Sequence, residues 1–373
     1  MHDTPLPLDG ILVVSLEQAV AAPICAARLA QAGARVIKVE RPEGDFARGY
    51  DDFVKGEATY FVCANQGKES VRLDLKKPED LALMKAMLAK ADVFIQNLAV
   101  GVAARLGLAA EDLRRANPRL ITCGISGYGE DSACSHMKAY DMLIQAESGL
   151  PGISGGNRIG ISLADIVTGI NAYGAVMEAL ALREKTGTGS HIELSLFGCL
   201  TDLMAVPILQ QMYTGRTPRA RGMHHPSIAP YGNFPTRDGA DMVISVQNNR
   251  EWKRLCQEVL DLPDLLKDPR FTDNVSRTEH RGILDPIIAE ASGRFTQAEL
   301  VERCEAAGIA YGRLNELREV LDHPALRLAS VRLPDGQTAA LPASPARRSW
   351  LTEETAEIPA LGQHDEAIRR EFG

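Results

Sequence analysis

Ile11–Leu16 (ILVVSL) is apolar almost throughout, with none of the alternation a strand shows when one of its faces meets water. Such a run fits a strand buried on both faces. Ala22–Ala32 follows with good helix propensity, Gly33 supplies a C-terminal stop, and Val36–Val39 is a second strand. The opening is therefore β-α-β. The pattern continues through strand Ser70–Leu75, a helix started by Pro78, strand Val93–Ile95, a further helix and strand Leu120–Ile125. Strands alternating with helices predict an α/β fold, with a parallel sheet covered on both faces in a Rossmann-like large domain.

At 373 residues the chain exceeds one simple core. The texture changes at Gly215, where Arg216–Pro230 combines three prolines, three arginines and two histidines. Beyond it, Asp238-Gly239 turns a hairpin between Tyr231–Pro235 and Met242–Val246. We assign 1–214 to the first part of the large domain and 215–325 to a linker and smaller α+β domain. The remaining 326–373 is expected to return to the large domain after a hairpin at Asp335-Gly336.

With 41 basic against 49 acidic residues the net charge is −8, which argues against a nucleic-acid or anionic-membrane binder. No apolar run is long enough to span a bilayer. MHDTPLPLDG has no basic region followed by an apolar stretch, and seven cysteines are scattered without a CxxC pair. A reduced, cytoplasmic protein without metal, disulfides or a secretory signal is expected.

The residues after the first strand, Glu17–Ala22, contain no glycine, which disfavours dinucleotide binding. Lys38, Arg41, Lys68, Arg72, Lys76 and Arg105 stand near strand ends instead. They suit a phosphorylated ligand; the plainer reading of each is a solvated surface charge. Asp165 stands between the glycine-rich loop Gly152–Gly160 and a long helical stretch to Lys185. A carboxylate there is ordinarily an N-cap. In a dry, apolar site it would be ionised at neutral pH and able to attack an acyl carbon without a general base. His224-His225-Pro226 lies in the linker, where an ordered loop is the ordinary reading and a substrate-anion site the functional one.

Taken in order, Pro7-Leu8-Asp9-Gly10, Val36–Pro42, Gly44-Asp45 with Arg48-Gly49, and Asn65-Gln66-Gly67-Lys68 form one set of segments. Leu73–Lys76, Ile95-Gln96-Asn97, Ala139-Tyr140-Asp141, Ala164-Asp165 with Thr168-Gly169, Lys185–Gly189 and Leu361–His364 complete it. The set covers nearly the whole chain and resembles the class III CoA-transferase (CaiB/BaiF) family. The resemblance implies a Rossmann-like large domain plus a small domain, in a homodimer of interlocked chains. It implies acyl-CoA as co-substrate and no tightly bound cofactor. Asp165 falls at the family's catalytic aspartate, which would carry first an aspartyl mixed anhydride and then an aspartyl-CoA thioester. Gln18, Ala19, Ala21, Arg41, Lys68, Leu75, Asn97, Arg105, Lys138 and Tyr140 match positions near the family's CoA site.

Formyl-CoA transferases carry a glycine run in the small domain that Arg221–Tyr231 lacks, which argues against oxalate as acceptor. Lys138–Gly149, His225–Gly232 and Val246–Trp252 look most like the subgroup acting on itaconate, mesaconate and citramalate. Succinyl-CoA as donor and itaconate as acceptor are expected. The far carboxylate of such an acid needs a cationic or strong hydrogen-bonding partner, for which Arg48, Arg221, His224 and His225 are the candidates. Intramolecular CoA transfer within mesaconyl-CoA stays open. An acyl-CoA racemase is a further alternative, disfavoured because tyrosine stands in Ala139-Tyr140-Asp141 where relatives have histidine. A silent CoA-binding subunit would have lost Asp165.

Overall fold

A computed structural model describes residues 5–218, 222–350 and 355–373. They divide into two compact units, one from 5–150, 158–206, 327–350 and 355–373, the other from 151–157, 207–218 and 222–326. In the first unit β1 (Leu12–Leu16), α1 (Ala21–Gln31), β2 (Arg35–Glu40), α2 (Thr59–Ala64) and β3 (Lys68–Arg72) come in order. They are followed by α3 (Pro78–Lys90), β4 (Val93–Gln96), α4 (Val102–Arg105), α5 (Ala110–Ala116) and β5 (Ile121–Ser126). Next are α6 (Asp141–Glu147), the long α8 (Leu163–Thr186) and β6 (His191–Ser195), while α7 (Leu150–Ile153) falls almost wholly to the second unit. Pro78 opens α3 at its first turn, with Glu79 and Asp80 beside it to meet the unpaired N–H groups.

The six strands make one parallel sheet in the order β3-β2-β1-β4-β5-β6. Strand order reverses between β1 and β4, and the crevice outside the carboxyl ends at such a reversal is where open α/β sheets bind ligands.

Alternate residues of the strands face opposite ways. Val14, Leu16, Ile37, Val39, Val71 and Phe94 join Leu83, Met84, Met87 and Leu88 of α3 in an apolar core. The opposite parity carries Ser15, Lys38, Glu40, Lys68 and Ser70, all buried. On that side α8 lies directly on α1: a Cβ at Gly169 would stand 2.6 Å from the Ala21 carbonyl oxygen and 2.8 Å from Ile24 Cβ.

The stretch after β6 forms two helices rather than one, α9 (Leu196–Leu203) and α10 (Ala205–Thr214). Pro207 explains the break, since its ring would collide with the carbonyl four residues back in a continuous helix. The first unit accordingly ends before Pro207 rather than at 214.

The second unit has β7 (Tyr231–Pro235) and β8 (Asp241–Ser245) as an antiparallel hairpin, then α11 (Asn249–Arg254), α12 (Asn274–Glu279), α13 (Arg281–Ser292) and α14 (Gln297–Ala307). β9 (Ala310–Arg313) adds to β8, and α15 (Leu317–Leu321) follows. Phe234, Trp252, Phe271, Leu284 and Leu300 are central to its core.

Back in the first unit, β10 (Leu328–Arg332) and β11 (Thr338–Pro342) pair antiparallel across the Asp335-Gly336 turn. β12 (Ala356–Glu357) runs beside β10, and α16 (Asp365–Phe372) buries Ile368 and Phe372 in the core shared with α3. His364 Nδ1 accepts the Ser70 N–H at 3.1 Å, which stitches this returning segment to edge strand β3.

Candidate active site

At the switch point the β1–α1 turn is gripped by Asn97, just past β4. Its Oδ1 accepts the Gln18 N–H at 3.0 Å, and its Nδ2 donates to the Gln18 carbonyl at 2.8 Å. Ala19 takes the left-handed conformation, with φ +63°. The turn thus adopts a backbone form that favours glycine without containing one.

Asp165 sits in the first turn of α8, three residues past the N-cap Ser162. It is therefore not the N-cap its sequence position suggested. The Ser162 hydroxyl is paired with the Tyr60 hydroxyl at 2.8 Å. The entry to α8 is fixed from α6: Asp141 Oδ1 accepts the Ala164 N–H at 2.7 Å, and Asp141 Oδ2 accepts from Gln145 Nε2 at 2.8 Å. Fully buried Gln145 also accepts the Ile159 N–H and donates to the Ile161 carbonyl.

Among the described residues no hydrogen-bond donor or cation reaches the Asp165 carboxylate. Burial, followed by the negative charge of Asp141, raises its pKa to about 7. Near neutral pH the free carboxyl group is then partly protonated, where a dry, apolar site was expected to leave it ionised.

Phe46, Tyr50 and Tyr60 meet in series, tilted and then edge-on, with ring centroids 5.8 and 5.9 Å apart. Burial and the nearby charges of Asp45 and Asp165 push the Tyr50 hydroxyl to about 12, so it stays a neutral donor. The sequence reading named Tyr140 but missed Tyr50 and Tyr60. The available signal was the gathering of Phe46, Tyr50, Phe53, Tyr60 and Phe61 in a chain only 5% aromatic.

Two expected ligand contacts are spent on the protein itself. The Lys68 ammonium is enclosed and directs its three donors to Glu17 Oε1, the Pro23 carbonyl at 2.9 Å and Asn65 Oδ1 at 3.0 Å. Arg48 is bidentate to Glu40, reaches the Pro359 carbonyl, and lies 3.8 Å over the Phe61 ring. Lys68 keeps no donor for substrate, and Arg48 has four of its five N–H donors taken. They belong to a buried network in which Lys38 pairs with Asp45 at 2.8 Å and with Glu17 at 3.3 Å. Burial raises the Glu17 pKa, but Lys68 and Lys38 outweigh it and hold the group below its ordinary value. Glu40 is held near 2, burial being overcome by Arg48 and Lys38. Burial pulls Lys68 down to about 8 despite Glu17.

Arg41, Arg105 and Lys138 are exposed beyond the carboxyl ends of β2, β4 and β5, and no acid pairs with them among the described residues. Leu75 packs at the edge of the apolar core. In the second unit His224 Nδ1 lies 3.4 Å from Asp285, its ring edge-on to Phe234. Gly232 must lack a side chain there, because a Cβ would meet the His224 ring. His225 stacks on Tyr231 at 5.3 Å, and its Nδ1 accepts the Ser227 N–H. Arg221 lies outside the described residues. A cavity of about 130 Å³, lined by Phe94, Gln96, Thr122, Gly124 and His191 among others, does not include Asp165 in its wall. Among the described residues no helix is long and apolar enough to cross a membrane.

A half-buried, unpaired carboxylate beside the switch point of a parallel sheet suits an enzyme that carries acyl groups covalently. The chain matches the model of CoA-transferase family III over residues 8–365 and belongs to that family. It is 34% identical to succinyl-CoA:glutarate CoA-transferase of Mus musculus, covering 99% of this chain and 87% of that one. To acetyl-CoA:oxalate CoA-transferase of Acetobacter aceti it is 33% identical, over 98% and 96% of the two chains. A CaiB/BaiF family protein from Brucella suis superposes with TM-score 0.82 at 31% identity, covering 99% of this chain and all of that one.

Proposed function

We propose that this enzyme moves CoA from succinyl-CoA to a five-carbon dicarboxylic acid, itaconate foremost, with Asp165 as nucleophile. The observation that carries the reading is the Asp165 carboxylate, half-buried and without a donor or cation, on the helix packed against α1 at the switch point. An unpaired carboxylate keeps its lone pairs for attack.

In its ionised form it adds to the thioester carbonyl, CoA thiolate leaves, and an aspartyl mixed anhydride remains. The thiolate then attacks the Asp165 carbonyl and releases the donor acid, leaving an aspartyl-CoA thioester. The acceptor carboxylate repeats the sequence in reverse, and Asp165 is regenerated. Each step exchanges one activated acyl for another, so the protein's work is to hold the groups together and exclude water. The neutral Tyr50 hydroxyl is placed to donate to a carbonyl oxygen that gains charge.

Arg41, Arg105 and Lys138 are the free cations for the CoA phosphates, with Gln18, Ala19, Ala21, Leu75, Asn97 and Tyr140 completing that site. Arg221, His224 and His225 remain the candidates for the far carboxylate. The mouse relative's name supports a five-carbon dicarboxylate, since glutarate is one; the choice of itaconate rests on the sequence strings above. A homodimer of interlocked chains is supported by α10, which buries no residue and exposes Leu209, Met212 and Tyr213. Seven free cysteines fit a cytoplasmic setting.

The test is to incubate the protein with succinyl-CoA and itaconate, mesaconate, citramalate, glutarate or oxalate, following each new acyl-CoA by mass spectrometry. Itaconyl-CoA should dominate, and Asp165→Ala should lower its formation by roughly 10³-fold or more. Preferred transfer to oxalate would favour the kind of acceptor named in the Acetobacter relative. Rearrangement of mesaconyl-CoA without any free acceptor would favour intramolecular transfer. Full activity in Asp165→Ala would end the nucleophile assignment.

A further inference from the structure

We infer that Asp45 is a positioning residue for CoA transfer, acting by holding Ala19 in its left-handed turn. The inference rests on the reading of Gln18–Ala21 and Asp165 as the transfer site.

The left-handed form costs an L-residue bearing a Cβ about 1–2 kcal/mol, so something must enforce it at Ala19. The Gln18 carbonyl and the Ala19 N–H belong to one peptide plane, and that plane is held at both ends. Asn97 Nδ2 donates to the carbonyl at 2.8 Å, and Asp45 Oδ1 accepts the N–H at 3.1 Å. With the backbone after Ala19 held by α1, which packs against α8, fixing this plane sets the rotation about the Ala19 N–Cα bond, the φ that measures +63°.

Asp45 is itself immobilised. It is buried, its Oδ2 takes Lys38 at 2.8 Å, its Oδ1 also accepts the Ala47 N–H, and its own N–H goes to Glu40. The buried charges thus form a rigid mount, and Asp45 is the one whose carboxylate extends to the turn. Without that acceptor the plane is free to rotate, Ala19 relaxes, and the backbone leading into α1 is re-aimed beside Asp165.

The experiment compares Asp45→Ala with Asp45→Asn. Both remove the charge that pairs with Lys38, but only asparagine keeps an oxygen for the Ala19 N–H. We expect Asp45→Ala to lose about 10- to 100-fold in kcat/KM for the acyl-CoA donor, the scale expected of a misplaced positioning element. Asp45→Asn should lose far less, whatever both lose in Tm. Adding Ala19→Gly to Asp45→Ala should recover several-fold, because glycine takes positive φ without the Cβ penalty. Hydrogen exchange over residues 17–22 should show the Ala19 amide exposed in Asp45→Ala and protected in Asp45→Asn. If Asp45→Ala does not fold, the charge-balanced pair Lys38→Met with Asp45→Ala takes its place.

Equal impairment of the two Asp45 variants, with no recovery from Ala19→Gly, would overturn the inference and leave Asp45 a stabilising charge only. The exchange readout does not depend on turnover. An active Asp165→Ala protein would therefore defeat the reading of the site while the anchoring of Ala19 was still decided.

Discussion

The two faces of the parallel sheet come from alternate residues of the same strands, yet they are built on opposite principles. One is dry and aliphatic: Val14, Ile37 and Phe94 meet the methionines and leucines of α3. The other seals three acids and three bases, Glu17, Glu40 and Asp45 with Lys38, Lys68 and Arg48, beneath the switch point. An aliphatic face tolerates exchange of similar volumes, because its attraction is non-directional. An ionic face specifies atom positions, because each buried charge needs its partner at hydrogen-bond distance. The contrast teaches that the side nearest Asp165 gains geometric definition where the far side gains bulk stability.

Substitutions can break or sharpen that contrast. Lys68→Met leaves Glu17 short of its nearest cation and should cost about 3–5 kcal/mol in urea unfolding. Kinetic defects should persist in the fraction that stays folded. Leu88→Ala on the aliphatic side should cost about 3 kcal/mol, with KM and kcat per folded molecule nearly unchanged. Similar kinetic damage from both would erase the distinction.

Asp165→Asn should act the other way. The carboxyl's pKa is raised from 3.8 to about 7, so between those values the native state holds a proton that the unfolded chain has lost. That contribution to stability is full at low pH and falls as pH rises through the window. Above it the asparagine variant should be more stable by about 2 kcal/mol, because partial solvent access discounts the full shift. The same titration predicts that wild-type kcat/KM climbs with pH toward a plateau just above 7. A flat profile from pH 5 to 8 would contradict the raised pKa. Smallest is His364→Ala, which deprives the Ser70 N–H of its acceptor and should lower stability by about 1 kcal/mol in thermal unfolding.

Much of the frame was legible because it depends on local pattern. ILVVSL marked a doubly covered strand, and Pro78 marked a helix start. The roles of Lys68 and Arg48 were not legible. Glu17 is 51 residues from Lys68, and nothing in either local sequence announces the pairing. A lysine near a strand end is ordinarily wet, so burial had to be seen. Ala19 misled in another way: left-handed turns are sought through glycine, and here the turn's peptide is hydrogen-bonded to Asn97 and Asp45 instead. Asp165 was singled out from the ordered motifs, while its lack of partners depends on how α8 lies against α1. Residue 204 hid the α9–α10 break because Pro207, the true signal, sits three residues beyond it.

Gly169 gives the position of Asp165 a mechanical origin away from its own surroundings. Ordinary carbon contacts lie at about 3.5–4.0 Å, so a methyl group there would wedge α8 from α1 by roughly an ångström. Asp165 is one turn toward the N-terminus on the same helical face, and it would ride with the wedge. The missing side chain therefore works as a shim of zero thickness. In the mechanism proposed above, the reach of the carboxylate toward a bound thioester is set by the spacing of two backbones, and a family member could alter that reach without changing any residue that touches substrate.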